Sequence, residues 1–482
     1  MTGLNSLTSS ISQKEDFGAF NPYELDDKYK NQRKTKQSES KIRTQTLIPN
    51  LVHHVYLNST DEICYLLNVD GKLVIHPTIE LDGKVYRPKQ DVPFICLSNV
   101  ILKKELVKSK DLLNGTELFL RSHVELPYEQ LYLIVALYIA HTYFIDEHFA
   151  VTPILNVYGV KETGKTRLGE LIALTAYRGE RCTSPTEATL FRAAQAFKST
   201  LVIDELKLWG KDGRKDVADL IKSRYKKGMK VSRCNMNKSG EDAIEYFDVF
   251  APLVICSTES VPAIIKTRCI TIVMQQNADP AVERDIDQVK ARWIREQWTL
   301  QRFKWMNREI PEVENEARRR LREITQPLLR VCSIIDKSRI ADVLDYIDYV
   351  GLMKAEEEGE STEAEILRAI YIGAGLAKVR KFRTTDITNT LNQTRSDKEK
   401  YSAKYVSACI SRMGFEKTRM HGGNMGYYYD EELMQKLFQL YGQNFKEEIG
   451  FDNLKEANRN FEIAINPKES IKNDVPFFSK RD

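Results

Sequence analysis

The eight residues Gly159-Val-Lys-Glu-Thr-Gly164-Lys165-Thr166 constrain this chain more than any other feature, because they match the GxxxxGK[ST] spacing of a phosphate-binding loop. Such a loop needs a strand before it and a helix after it. The sequence offers both: an apolar run, Pro153-Ile-Leu-Asn-Val-Tyr158, and a helical pattern from Lys165 to about Tyr177. Glycines let backbone N–H groups turn inward around phosphate oxygens, and the following helix adds its positive end. Lys165 would neutralise the β- and γ-phosphates, and the Thr166 hydroxyl would ligate Mg²⁺. Gly159, Gly164, Lys165 and Thr166 are therefore the expected nucleotide-binding residues, with ATP and Mg²⁺ as cofactors.

A second apolar strand, Ser199-Thr-Leu-Val-Ile, delivers Asp204 and Glu205 at its C-terminal end. In a parallel sheet that end lies beside the phosphate site. Asp204 is expected to hold Mg²⁺ through water, and Glu205 to orient and deprotonate the attacking water. A third apolar strand, Pro252-Leu-Val-Ile-Cys256, runs into Ser257-Thr258-Glu259. A fourth follows Lys266-Thr-Arg268. Strands and helices alternate until about Gln275, the pattern of an α/β fold on a parallel sheet.

Taken in this order, the motifs resemble the AAA+ ATPases, and among them the helicase-like ATPases of plasmids, phages and integrated mobile elements, which overlap superfamily 3 helicases in motif order. The resemblance covers about residues 100–430. It implies a hexameric homo-oligomer with ATP held between subunits. In the family a polar residue after the third strand, usually Asn, helps hold the attacking water; here Thr258 or Ser257 would serve, or the pair is a plain strand-end turn. Arg268 takes the place of the arginine that reaches the neighbouring subunit's γ-phosphate, unless it is an ordinary surface arginine. The likeness also implies a basic hairpin that projects into a central pore and grips the DNA backbone.

The segment for such a hairpin lies between the acidic pair and the third strand, with Lys222, Arg224, Lys226, Lys227, Lys230, Arg233 and Lys238. It reads strand–turn–strand, and Lys230, Arg233 and Lys238 are its nucleic-acid contact candidates, since phosphate contacts are electrostatic and sequence-blind. The bland alternative is a solvated basic loop.

At 482 residues and roughly 150 per domain, the chain has room for about three domains. Residues 1–47 read as a disordered basic tail. Residues 48–125 read as a small β-rich N-terminal domain and linker, with hairpin turns at Asp70-Gly71 and Asp82-Gly83. The ATPase core spans 126–278, and a helical lid 279–350, in which Val282, Ile286, Val289 and Trp293 share a face. The acidic stretch Glu356–Glu360 reads as a linker. Residues 361–432 have a winged-helix pattern, and 433–482 form a polar tail. In the winged helix, Tyr405, Val406, Cys409, Ile410 and Met413 would face inward. Lys404, Ser407 and Arg412 would face outward as a recognition helix, and the strands around Gly422, with Arg419, would form the wing.

The net charge of +4 is too mild to identify a partner. Eight scattered cysteines show no zinc-finger spacing and fit a reducing compartment. No apolar stretch approaches the roughly 20 residues of a membrane span, so a cytoplasmic protein with no membrane partner is expected. His53, His54, His123 and His141 have no partners at metal spacing. The leading reading is an ATP-driven DNA helicase or translocase, with single-stranded DNA in the pore and duplex at the winged helix, in replication of a mobile element. Two alternatives stand beside it: an AAA+ loader, initiator or transposition regulator using ATP as an assembly switch, and a signalling ATPase acting on protein.

Overall fold

The computed structural model describes residues 48–441, apart from 82, 184, 206–214, 318, 360, 376–377, 394, 397–398 and 421–424. The expected N-terminal tail, the turn residue Asp82, the wing turn at Gly422 and the tail beyond 441 lie outside the described residues. The chain divides into two compact units between Ile347 and Asp348.

In the first unit, β1 (Leu51–Leu57), β2 (Glu62–Val69) and β3 (Lys72–His76) form an antiparallel meander, turned at Asp70-Gly71. β4 (Ile79–Leu81) and β5 (Lys84–Tyr86) make a separate hairpin, and β6 (Leu97–Ser98) adds parallel to β1. Five consecutive residues of β1, Leu51 to Val55, are buried, so this sheet has cover on both faces. Val52, Val55, Leu66, Leu97 and Ile101 share one apolar cluster with Leu300 and Met306. The sheet is thus part of the first unit, where a separate domain was expected.

α1 (Ser109–Arg121) and α2 (Gln130–Thr142) follow. Every α2 residue from Leu131 to Thr142 is buried, as a helix apolar all round must be. The chain then builds β7 (Ile154–Tyr158), α3 (Lys165–Thr175), β8 (Glu180–Thr183), α4 (Glu187–Phe197), β9 (Leu201–Asp204) and α5 (Lys215–Arg224). β10 (Lys230–Cys234) and β11 (Ile244–Asp248) pair as an antiparallel hairpin. β12 (Leu253–Ser257) and β13 (Cys269–Val273) complete a five-stranded sheet in the order β13-β7-β12-β9-β8, with every pairing parallel. β7, β9, β12 and β13 are short, mostly apolar runs, the signature of strands covered on both faces, while the edge strand β8 reads Glu-Arg-Cys-Thr and is partly exposed.

α6 (Gln288–Trp305) begins where the Asp287 carboxylate accepts from the Lys290 amide at 2.9 Å. The expected amphipathic face therefore fails at its start: Val282 sits in a short 3₁₀ turn, and Val289 is 76% exposed. Ala291, Ile294 and Trp298 form the buried face instead. α7 (Arg319–Ile335) and α8 (Ile340–Gly359) follow. α8 runs through Glu356–Glu358, where a linker was expected; Ala and Glu are good helix formers, so acidity alone does not break a helix.

Beyond the part of α8 from Asp348 on, the second unit contains α9 (Thr362–Ile370), β14 (Lys381–Arg383), α10 (Thr384–Asn392), α11 (Ala403–Arg412), β15 (Lys417–Arg419), β16 (Met425–Tyr428) and α12 (Glu431–Leu440), with the sheet order β14-β16-β15. Its core joins Ile366, Leu367, Ile370, Phe382, Ile387, Val406, Cys409, Ile410, Phe415 and Tyr427 to Met434 and Leu437 of α12. Residues 433–440 thus belong to a packed helix and not to the expected polar tail. Among the described residues, no helix is long and apolar enough to cross a membrane.

Candidate active site

Register brings three strand ends level. Tyr158 pairs with Ser257, and Cys256 pairs with both Val157 and Asp204. The loop after β7, the acidic pair after β9 and Thr258 after β12 therefore meet at one edge of the sheet, with β12 in the middle. Thr258 and Glu205 are exposed there, while Asp204 is only 14% exposed.

The loop itself is held tightly. A Cβ at Gly159 would lie 2.7 Å from the Met274 carbonyl oxygen and 2.9 Å from Thr163 Oγ1, so no side chain fits. Gly164 sits at φ +79°, the left-handed region that favours glycine, and opens α3. The Gly159 amide donates to the Ser257 carbonyl at 3.3 Å. Lys165 folds back over the loop: its ammonium donates to the Val160 carbonyl and, at 3.3 Å, to Thr163 Oγ1. Burial lowers the Lys165 pKa, opposed by the nearby carboxylates of Asp204 and Glu205. Thr166 Oγ1 donates to Asp204 Oδ1 at 3.2 Å, so the two expected Mg²⁺ residues already touch. A glycine cradle, a helix N-terminus, one ammonium and a hydroxyl–carboxylate pair fit a triphosphate with its divalent ion; bound there, the ion would polarise phosphate oxygens.

Glu205 lies at φ 56°, unusual for a residue with a side chain, and its amide donates to the Cys256 carbonyl at 3.2 Å. Of the two candidates after β12, Ser257 is spent locally. It is buried, and its hydroxyl donates to the Glu259 carbonyl at 2.7 Å and accepts from the Glu259 amide at 2.9 Å. Thr258 remains as the polar residue at the edge.

Arg268 is not at this edge. It precedes β13, and its carbonyl accepts from Ile154, the first residue of β7. Its guanidinium packs over the Tyr225 ring at 5.0 Å and donates to the Ile264 carbonyl.

The basic segment divides by environment. Arg224 is fully buried and donates to the carbonyls of Leu190 and Pro252, and burial lowers its pKa to about 10. On the hairpin, Arg233 forms an ion pair with Glu187 and packs on the Phe191 ring at 5.3 Å, tying β10 to α4. Lys238 pairs with Glu245 across the hairpin at 3.0 Å. Lys230 is exposed and makes no ion pair among the described residues. In the second unit, Lys404 and Arg419 are exposed, and Arg412 pairs with Glu363 at 3.2 Å. Two expectations for α11 are corrected. Tyr405 is 43% exposed and stacks on Tyr401, and Ser407 does not face outward, because its hydroxyl bonds Tyr427 Oη at 2.8 Å.

Motif spacing missed Arg181 and Glu170. Arg181, on the edge strand β8, lies 3.6 Å from Asp204 Oδ2 and 3.3 Å from Glu170 Oε2. Only the parallel pairing of β8 with β9 brings it there, so no local pattern announces it.

No protein-family model matches the chain, and no curated protein matches it in sequence. Among solved structures, the chain is similar to a full-length MCM homologue from Methanopyrus kandleri, at 9% identity over 60% of this chain and 74% of that chain, with a TM-score of 0.33. It is also similar to Drosophila ORC bound to DNA, at 11% identity over 69% of this chain and 92% of that one, with a TM-score of 0.16. These likenesses are distant, and the functional reading rests on the residues.

Proposed function

We propose that the chain is an AAA+ ATPase that hydrolyses Mg²⁺-ATP to act on nucleic acid, working as a hexameric DNA helicase or translocase of a mobile element. The observation that carries this reading is the shared edge of β7, β9 and β12, where the Gly159–Thr166 loop, Asp204-Glu205 and Thr258 converge with Thr166 already on Asp204. Lys165 and the loop amides would hold the phosphates, Thr166 and Asp204 the Mg²⁺, and Glu205 would take a proton from the attacking water while Thr258 orients it. Arg268 would act on the nucleotide of a neighbouring subunit.

The second unit runs helix–strand–helix–helix–strand–strand before its final helix, and we read it as a winged helix. Lys404 of α11 and Arg419 of β15 are exposed cations of this unit. On the hairpin, Lys230 is likewise exposed.

The test is steady-state ATPase activity of wild type, Glu205→Gln and Lys230→Ala, with and without single-stranded DNA, at two salt concentrations. The expected result is turnover stimulated by DNA in a salt-sensitive way, reduced by Lys230→Ala and abolished by Glu205→Gln. Activity indifferent to DNA would overturn the nucleic-acid reading in favour of a protein-directed ATPase.

A second reading, an assembly switch used by a loader or regulator, draws on one observation. Arg233 and Lys238 are already neutralised within the chain, leaving the hairpin little charge to grip a strand. DNA-dependent assembly without strand separation would favour it.

A further inference from the structure

Arg181 holds the carboxylate that, on the reading above, takes the metal. Its two guanidinium nitrogens reach two different carboxylates, Nη1 to Glu170 at 3.3 Å and Nη2 to Asp204 at 3.6 Å. The other Asp204 oxygen accepts from Thr166 Oγ1 at 3.2 Å. Both oxygens of Asp204 therefore have a partner, one a neutral hydroxyl and the other a cation.

A guanidinium and a divalent ion cannot share one carboxylate without mutual repulsion, and the repulsion is weakly screened where the carboxylate is only 14% exposed. Arg181 has somewhere to go. Glu170 lies four residues after Thr166 on α3, on the same helix face, and its side chain is 37% exposed. The planar fork of arginine lets one side chain touch both acids at once, which a lysine ammonium does less well.

We propose that Arg181 is a displaceable counter-ion of the metal site. It neutralises Asp204 when no metal is bound, and it yields that carboxylate to Mg²⁺ by withdrawing onto Glu170. Arg181 is thus a positioning residue, setting how much Mg²⁺ the nucleotide site needs. The inference rests on Asp204 being the metal-holding residue.

The experiment titrates MgCl₂ against the full chain and a fluorescent ADP analogue, reading bound nucleotide by anisotropy and folding by thermal unfolding. In Arg181→Ala the half-saturating Mg²⁺ concentration should fall about threefold to tenfold, the size expected for one partly exposed charge. In Glu170→Gln, which removes the retreat, it should rise by a similar factor. Arg181→Lys, which keeps the charge, should lie near wild type. A merely structural role would move Arg181→Ala and Glu170→Gln in the same direction, and that result, or no shift in Arg181→Ala, overturns the proposal. Wild-type binding indifferent to Mg²⁺ overturns the metal-site reading itself, and the role of Arg181 with it.

Discussion

Arg268 provides the sharpest test of whether this chain works as an assembly. Ile154 pairs with Cys269 and Tyr158 with Val273, so Arg268 and Gly159 sit beyond opposite ends of the same ladder. Gly159 is level with Met274, six steps along the strand from Arg268, so at about 3.3 Å per residue roughly 20 Å separates them. An arginine side chain does not span that distance, so Arg268 cannot serve the loop of its own subunit. Replacing it with alanine removes the stack on Tyr225 and the bond to the Ile264 carbonyl, a local cost of about 1 kcal/mol. A transition-state arginine is worth roughly a thousandfold or more in rate. Arg268→Ala should therefore abolish measurable turnover while leaving nucleotide binding and folding nearly unchanged. Lys165→Ala should also be inactive, through its own phosphate site. Mixing the two dead variants at equal ratio places an intact loop beside an intact arginine at about a quarter of randomly formed interfaces of a closed ring. Turnover should recover to a corresponding fraction of wild type in the mixture, read by phosphate release after co-refolding or prolonged exchange. No recovery, in a mixture shown to co-assemble, would refute the trans-acting arginine and leave Arg268 a structural residue.

Two further measurements probe the packing around the site. A Cβ at Gly169 would lie 2.8 Å from Cys256 Sγ and 3.0 Å from Val202 Cγ1, so Gly169→Ala should lift α3 from the sheet. It should cost about 1–3 kcal/mol and weaken nucleotide binding. Gly115→Ala meets Trp293 at an ordinary 3.6 Å within α1 and should stabilise by about 0.5–1 kcal/mol; urea midpoints in any other order than Gly115→Ala above wild type above Gly169→Ala refute the packing argument. His54 is fully buried with both ring nitrogens unpartnered, and burial holds its pKa well below the ordinary 6.5. Because the folded pKa is the lower one, the unfolded chain takes up the proton first, so stability is complete above pH 6.5 and is lost as pH falls below it. His54→Phe should remove one such proton and flatten the acid limb by about 1.4 kcal/mol per pH unit. Parallel stability profiles of variant and wild type from pH 7 to 5 would contradict this.

What the sequence reveals here is whatever is written in consecutive residues. The phosphate loop is a contiguous pattern between an apolar strand and a helix, and both flanking elements form where that pattern requires them. Thr166 and Asp204 lie 38 residues apart, yet the pairing of apolar strands brings their side chains together. Pairing across the sheet is harder to read, and only the β8–β9 ladder brings Arg181 to Asp204. Charge is the least legible feature. Arg224 and Arg233 look alike in a basic run, but one is satisfied by carbonyls in the core and the other is pinned by Glu187. Lys230, three residues from Arg233, is exposed and makes no ion pair among the described residues. A count of cations therefore overstates the surface available to a phosphate backbone. The second unit fails differently: α9 and α12 bury Leu367 and Met434 in its core, but the polar residues around them hide those helices from a search for long apolar periods.

Buried charge also ties the N-terminal sheet, expected as a domain of its own, into the first unit. Trp298 of α6 donates to Thr116 of α1 at 3.2 Å, and the buried arginines of α6 reach in two directions from there. Arg295 donates to the Leu174 carbonyl near the C-terminal end of α3, and Arg302 donates to the Tyr143 carbonyl just past α2 at 2.7 Å. Both guanidinium groups thus meet carbonyls at the negative ends of helices, where a cation is stabilised and free acceptors need a donor. Arg302 also reaches the carbonyls of Leu51 and Val52 in β1 at 3.2 Å. One helix therefore fastens the N-terminal sheet, the central apolar helix and the far end of the phosphate-loop helix through buried bonds. On that geometry the N-terminal sheet is tied through α6 to the helix that follows the Gly159–Thr166 loop.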